Sequence, residues 1–290
     1  MSNITVTHFD KVCRFKSFVF PGGEVGIKFD KSEYGPINCL TFTLKAKSAH
    51  DLIELAMVKD AAKRQFGQKQ SYLKLSYIPY ARQDRVCDEG EAFSLKVFCD
   101  YLNFLSFDEV EVMDPHSNVA PALINNVKVI SQEKIIHCFY NLQRLFLYVD
   151  DKPLLVSPDD GASKKVAKLA ASVKYNSFVR CEKVRDLSTG KIIKTEVHED
   201  EPILGRQVCI VDDICDGGAT FIELAKVLRA KGASVIHLYV THGIFSRGIQ
   251  HLYDNGIDYI WTTDSLMSRE YIIENRRKYG DKFNIHEASY

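Results

Sequence analysis

One stretch limits what this chain can fold into more than any other. Val208-Cys-Ile-Val-Asp-Asp-Ile-Cys-Asp-Gly-Gly-Ala-Thr220 passes from an apolar run through acids and paired glycines towards a helix. Val208 to Val211 is short, apolar and β-branched, the pattern of a strand buried on both faces in a parallel sheet covered by helices. Phe221 to Lys231 then carries apolar residues at helical spacing, with Thr220 as its candidate N-cap and Gly232 as its stop. Between strand and helix stand Asp212, Asp213 and Asp216, followed by Gly217 and Gly218. Glycine lets the backbone turn with positive φ and come close to a ligand, and the amides of the loop and first helical turn suit an anion. The carboxylates would repel a phosphate set beside them, so sugar hydroxyls, or the metal that accompanies a diphosphate, are their natural partners. A ribose phosphate meets both demands; a surface βα turn with solvated acids is the plainer alternative.

At 290 residues the chain is long enough for two domains, each with its own core. Lys plus Arg and Asp plus Glu are both 38, so no global field favours nucleic acid or an anionic membrane, and small-molecule partners are expected. The start at Met1 lacks a basic region followed by an apolar run, and no apolar stretch reaches membrane-spanning length. Eight cysteines form no C-x-x-C pair, and several lie in apolar runs. Reduced core thiols, and hence a soluble cytoplasmic protein without structural zinc, are the expectation.

The first half alternates strand and helix, with Ile37 to Leu44 strand-like, Leu52 to Phe66 helical after Ser48, and Tyr72 to Ile78 strand-like, which is a βαβ unit. Val208 to Val211, Phe221 to Lys231 and Val235 to Val240 repeat the plan. The string Ile-Glu-Leu-Ala recurs in both helices, at Ile53 to Ala56 and Ile222 to Ala225, in register with the flanking elements. Two similar α/β domains are therefore expected, residues 1–142 and 143–290, with the boundary near Phe139 to Lys152.

Tyr77-Ile-Pro-Tyr-Ala-Arg-Gln-Asp-Arg85 runs from a strand end, the ligand-facing end in an open α/β sheet, into two arginines able to fork onto phosphates. Taken alone, it also reads as a salt-bridged surface loop. Its Pro79 to Arg85 wording resembles the ATP-binding segment of the ribose-phosphate pyrophosphokinases, the phosphoribosyl diphosphate synthetases, and the resemblance extends over nearly the whole chain. It implies two phosphoribosyltransferase-like domains, each a mainly parallel sheet flanked by helices. It implies nucleotide contacts for Arg82, Gln83 and Asp84. Phe20-Pro-Gly-Gly-Glu24 is similar to the family's Phe-Ser-Asp-Gly-Glu adenine loop, so Phe20, Gly22, Gly23 and Glu24 would meet ATP, with Gly22 standing where the acid normally does. Asp114-Pro-His116 resembles the family's Asp-Leu-His, whose histidine approaches ATP and its magnesium. Ser157-Pro-Asp-Asp-Gly-Ala resembles Ser-Pro-Asp-Ala-Gly-Gly and makes Asp159 the metal-associated acid. Lys183 and Arg185 reproduce the Lys-x-Arg pair of a mobile catalytic loop, within a charged segment read here as a hairpin turning at Thr189-Gly190. Thr241-His-Gly-Ile-Phe-Ser246 is similar to Thr-His-Pro-Ile-Phe-Ser, with Gly243 replacing proline.

The resemblance thus implies a Mg2+-dependent transfer from ATP to ribose 5-phosphate. Lys183 and Arg185 would be catalytic, with Arg185 also on the sugar phosphate. Asp212, Asp213 and Asp216 would meet the ribose, Gly217, Gly218, Ala219 and Thr220 its 5-phosphate, and His116 and Asp159 the metal. It also implies a homodimer as the minimal unit, and in many members a hexamer, with no nucleic-acid or membrane partner. A phosphoribosyltransferase and a non-catalytic regulatory subunit are the rival readings. Gly22 further suggests a relaxed choice of nucleotide, sharpened by Gly22→Asp.

Overall fold

The computed structural model describes residues 2–9, 11–30, 37–67, 69–138, 152–175, 178–185, 192–198 and 202–287, those at 183–185 and 192–195 by their backbone. The chain divides into two compact units, Met1–Ile130 and Ser131–Tyr290. The boundary expected near Phe139 to Lys152 falls almost wholly on residues outside those described.

The first unit is built on β1 (Ile4–His8), β2 (Lys11–Val12), β3 (Phe15–Val19), β4 (Val25–Phe29), β5 (Cys39–Leu44), β6 (Gln70–Leu75), β7 (Glu109–Met113) and β8 (Val127–Ile130). Its helices are α1 (Ala49–Phe66), α2 (Ser94–Phe104) and α3 (Val119–Leu123). A six-stranded sheet runs β2-β1-β5-β6-β7-β8, and β3 and β4 form a separate hairpin. Pairings from β5 to β8 are parallel, while β1 is antiparallel to β5 and β2. This geometry makes crossover connections necessary, because parallel neighbours cannot be joined by a tight turn.

α1 shows how local chemistry fixes an element. Ser48 is its N-cap, in extended backbone, and Gly67 ends it at φ +62°, where glycine carries no Cβ penalty. Asp51, 3% exposed, accepts hydrogen bonds from the Ser48 and Lys47 amides, both 2.7 Å, from Ser48 Oγ at 3.2 Å and from Asn3 Nδ2 at 2.8 Å. Burial pushes this carboxyl upward, and the bonds from Asn3, Lys47 and Ser48 more than offset it, leaving its pKa below the usual value.

The second unit contains α4 (Gln132–Cys138), β9 (Leu154–Ser157), α5 (Asp160–Ser172), β10 (Val179–Arg185), β11 (Ile192–His198), β12 (Gln207–Cys215), α6 (Ala219–Ala230), β13 (Val235–Gly243), α7 (Ile249–Tyr253), β14 (Tyr259–Thr263), α8 (Arg269–Tyr279) and β15 (Phe283–His286). Its seven-stranded sheet runs β11-β10-β9-β12-β13-β14-β15, parallel except for the antiparallel edge pair β10–β11. Leu154 to Ser157 and Val208 to Val211 are buried throughout, as strands covered on both faces must be.

The shared Ile-Glu-Leu-Ala string sits in the crossover helix of each unit, yet it presents different faces. Ile53 is exposed and Glu54 buried in α1, whereas Ile222 is buried and Glu223 is exposed in α6; Leu55 and Leu224 are buried alike. Equal letters therefore meet unequal surroundings.

Asp51→Ala is expected to destabilise the protein by about 1.5–3 kcal/mol, since it leaves two backbone amides near the helix start without their charged acceptor. Because the folded pKa is depressed, the Asp51 contribution is present above the unfolded value of about 3.9 and is lost as pH falls through the folded value. Urea unfolding at pH 7 and pH 3 checks this, with a smaller difference between wild type and variant expected at the lower pH.

Candidate active site

Strand order supplies the site. β9 sits between β10 on one side and β12 on the other, so the connections leave this point in opposite directions. In open α/β sheets the crevice outside the carboxyl ends at such a reversal takes the ligand. Val156 pairs with Ile210, and just beyond that pair β9 leads to Asp159 while β12 continues to Asp212 and Asp213.

Asp159 is the N-cap of α5, its Oδ1 accepting from the Ala162 amide at 3.1 Å, and Ser157 Oγ donates to its carbonyl at 2.8 Å. Asp212 Oδ1 accepts from the Asp213 amide at 2.8 Å, and the Asp212 carbonyl accepts from Gln132 Nε2 at 2.9 Å. Asp213 is buried, with Lys165 Nζ 4.0 Å from its Oδ2. Burial, then the Asp213 carboxyl, then the Asp159 charge hold the Asp212 carboxyl well above the usual carboxylate range. A cation or a set of hydroxyl donors would relieve that crowding.

β12 does not stop at the acids, as its sequence suggests, but stays paired to β13 through Cys215↔Gly243. The following helix starts earlier than Phe221, and its N-cap is Gly218 rather than Thr220. Gly218 has φ +80°, and a Cβ there would stand 2.4 Å from Leu252 Cδ2 on α7, so both backbone and packing require glycine. No side chain caps α6 among the described residues, which leaves its first amides facing outward beside Asp216, Gly217, Ala219 and Thr220. The amides of Ile244 and Phe245 donate to the Cys215 carbonyl at 2.8 and 3.1 Å, tying the turn after β13 to the base of this loop.

Lys183 and Arg185 lie on β10, opposite Thr195 and Ile192 of β11, with a register irregularity between Val184 and Arg185. The hairpin is thus present, while its turn at Thr189-Gly190 lies outside the described residues.

In the first unit Phe20 to Glu24 forms the turn of the β3–β4 hairpin. The Phe20 amide donates to the Glu24 carbonyl and the Gly23 amide to the Phe20 carbonyl, both at 2.8 Å. Phe20 is half exposed and meets Phe18 edge-on at 5.1 Å, while Gly22 lies beside the Glu24 carboxylate. Arg82 and Gln83 are exposed and Asp84 half-buried, in a turn set by Tyr80 at φ +63°. That turn is anchored to the start of α2 by the Leu95 amide on the Gln83 carbonyl. His116 is exposed after buried Asp114, which holds φ +35° and donates its amide to Ile130.

The contacts of Gln132 and Lys165 are absent from the sequence reading. Gln132 is 80 residues from Asp212, and no local pattern announces the pair.

Asp212→Asn is expected to stabilise the metal-free, ligand-free protein by about 1–2 kcal/mol at pH 7 to 8. A raised folded pKa means that the wild-type contribution is full below about 3.9 and is lost as pH rises through the folded value, a slope the amide lacks. Thermal unfolding from pH 5 to 8 in chelator tests this, and a lower midpoint for the variant at pH 8 would contradict it.

A family model for the phosphoribosyl transferase domain matches residues 127–265. The ribose-phosphate pyrophosphokinase of Pyrococcus abyssi is 31% identical over 241 residues, covering 80% of this chain and 79% of that one. The ribose-phosphate pyrophosphokinase of Saccharolobus solfataricus is 28% identical over 234 residues, covering 79% and 78%. The crystal structure of phosphoribosylpyrophosphate synthetase from Mycobacterium smegmatis shares the fold with a TM-score of 0.77, over 96% of this chain and 87% of that one at 23% identity. With its two mainly parallel sheets and an acidic loop at the strand reversal, the chain belongs to the ribose-phosphate pyrophosphokinase family.

Proposed function

We propose that this chain transfers the β,γ-diphosphoryl group of ATP to the C1 hydroxyl of ribose 5-phosphate, forming 5-phosphoribosyl 1-diphosphate and AMP. The observation that carries the reading is the crowding of Asp159, Asp212 and Asp213 beside an uncapped helix start, within a chain of this family. The C1 oxygen attacks the β-phosphorus, the bond from that phosphorus to the bridging oxygen of AMP breaks, and the C1 hydroxyl loses its proton. Such a transfer asks for alignment and for positive charge around the moving oxygens. Asp212, Asp213 and Asp216 accept from the ribose hydroxyls, and the amides of Gly217 to Thr220 take the 5-phosphate. Phe20, Gly22 to Glu24 and Arg82 to Asp84 hold the nucleotide. Lys183 and Arg185 bring positive charge to the diphosphoryl group.

Among the described residues no three His, Cys, Asp or Glu side chains are grouped to hold a metal by themselves. Sparse protein ligation suits Mg2+, which keeps waters and completes its octahedron with substrate phosphates. Asp159, at the start of α5, would be one protein ligand, and His116 would stand beside the nucleotide. Bound Mg2+ would neutralise charge on the polyphosphate. A homo-oligomer in the cytoplasm is part of the same reading, and eight free thiols suit that compartment.

The deciding assay mixes purified protein, Mg2+, ATP and ribose 5-phosphate without any base. Appearance of AMP with phosphoribosyl diphosphate is expected, whereas a phosphoribosyltransferase would form neither. Asp216→Ala is expected to weaken ribose 5-phosphate use about tenfold to a hundredfold with little change in ATP affinity. Lys183→Ala should lower kcat by about two to three orders of magnitude and leave ATP affinity unchanged.

Donor choice gives a second test. A Cβ at Gly22 would come within 3.0 Å of Glu24 Oε2, so the Glu24 carboxylate already occupies the side of the turn that an aspartate would claim. Glu24→Ala is therefore expected to lower the ATP-to-GTP ratio of kcat/KM about tenfold, while Gly22→Asp changes it about twofold or less. The reverse pattern would return the reading of the base to position 22.

A further inference from the structure

We infer that Arg247 is a binding residue for the phosphate of the sugar substrate, reaching the glycine loop from the turn after β13. This inference rests on the reading of the Asp216 to Thr220 loop as a sugar 5-phosphate site.

Four observations carry it. First, the side chain lies along Gly217: a Cβ built there would stand 3.6 Å from Arg247 Nε, 3.7 Å from Cδ and 3.8 Å from Cγ. Secondly, the turn that presents Arg247 is built firmly. Ile244 and Phe245 bond the Cys215 carbonyl, the Gly248 amide donates to the Phe245 carbonyl at 2.8 Å, and Phe245, only 4% exposed, holds φ +49°. Left-handed backbone at a buried phenylalanine is costly, and it persists because the surrounding packing over-determines it. Gly243 makes room, since a Cβ there would collide with the Phe245 ring at 2.2 Å. Thirdly, Arg247 is exposed and makes no hydrogen bond or ion pair with the described residues, so its guanidinium is available to an incoming anion.

Fourthly, Gly217 is not demanded by the chain itself. Its φ lies outside the left-handed region, and an added methyl would meet the arginine at ordinary contact distances. Its neighbour Gly218 is fixed both by φ and by Leu252. The stem of Arg247 lies over Gly217 at contact distance, so its guanidinium is carried beside the loop amides that would meet a phosphate monoester. A guanidinium adds a charge-assisted fork to backbone amides that otherwise supply only dipoles. The arginine also offsets the acids: Asp212, Asp213 and Asp216 favour hydroxyls and repel phosphate, so a cation on the phosphate side sorts the two ends of the sugar. The ligand class is therefore a pentose 5-phosphate bound through its dianion, with neutral pentose excluded.

The test uses the full chain with Mg2+ and compares wild type, Arg247→Ala, Arg247→Lys and Gly217→Ala. Steady-state kinetics gives KM for ribose 5-phosphate and for ATP separately. The thermal shift produced by ribose 5-phosphate alone gives a readout independent of turnover. Arg247→Ala is expected to raise both the ribose 5-phosphate KM and the concentration for half-maximal shift about tenfold to a hundredfold, with ATP KM and kcat held within about twofold. Arg247→Lys should recover part of the loss, because a point charge replaces the fork. Gly217→Ala should unfold at the wild-type temperature yet lose ribose 5-phosphate affinity. An unchanged ribose 5-phosphate response in Arg247→Ala, or an equal rise in ATP KM, overturns the inference. If wild-type protein forms no AMP and shows no ribose 5-phosphate shift, the functional reading itself fails, a result distinct from a wild-type response that the alanine variant retains.

Discussion

The parallel ladder that joins β12 to β9 and β13 is the constraint on which the second unit depends. It aligns Val208 with Leu154 and, on the other side, Cys215 with Gly243, so three chain segments end at one edge of the sheet. Two of these segments carry acids, Asp159 after β9 and Asp212 and Asp213 within β12, and the third carries a cation, Arg247 beyond β13. Hydrophobic burial along the strands sets the positions, and the polar chemistry rides on them. The meeting of these groups therefore does not depend on loops finding one another, because the strand register has already placed their roots.

The same placement stores a conflict. Asp212 is held above the usual carboxylate range by burial and by two neighbouring acids, an arrangement that costs the ligand-free protein stability as pH rises. Stability selection alone would replace one acid with an amide. Retaining all three makes sense where a cation or a sugar completes the site, the familiar exchange of stability for function. Gln132 pins the backbone of this segment through the Asp212 carbonyl, and Lys165 places a cation 4.0 Å from the Asp213 carboxylate.

Much of this was legible in the sequence, and the rest was hidden for definite reasons. Continuous apolar runs at Leu154 and Val208 announce strands covered on both faces, and the Asp-Asp, Gly-Gly order announces the turn from strand into helix. Polarity is a poor guide to a strand's end where a ladder continues: β12 keeps pairing through Asp212 to Cys215. On β10, pairing with β11 carries exposed Arg180 and Glu182 alongside the buried Val179 and Cys181. The N-cap fell at Gly218 and not Thr220 because a left-handed residue turns the chain before any hydroxyl can cap it. Arg247 follows the recognisable Thr241 to Ser246 string by a single residue, yet only the fold of that turn brings it back onto Gly217. The equal strings in α1 and α6 mislead in the opposite sense, since helix rotation buries Glu54 in one and Ile222 in the other.

Two glycines that depart from the family's wording have different physical meanings. At position 243 the chain needs the absence of a side chain, because the Phe245 ring fills that space and holds the turn that carries Arg247. Proline there would put ring atoms where the phenylalanine packs, so the glycine and the phenylalanine conformation form one unit. At position 22 the space is not required in that sense: the nearest atoms are the flexible end of Glu24, which can move. The first glycine is thus part of the scaffold beneath the Asp216 to Thr220 loop, while at the second only a flexible side chain would have to give way. A letter change inside a motif carries functional weight only after the atoms around the missing side chain are known.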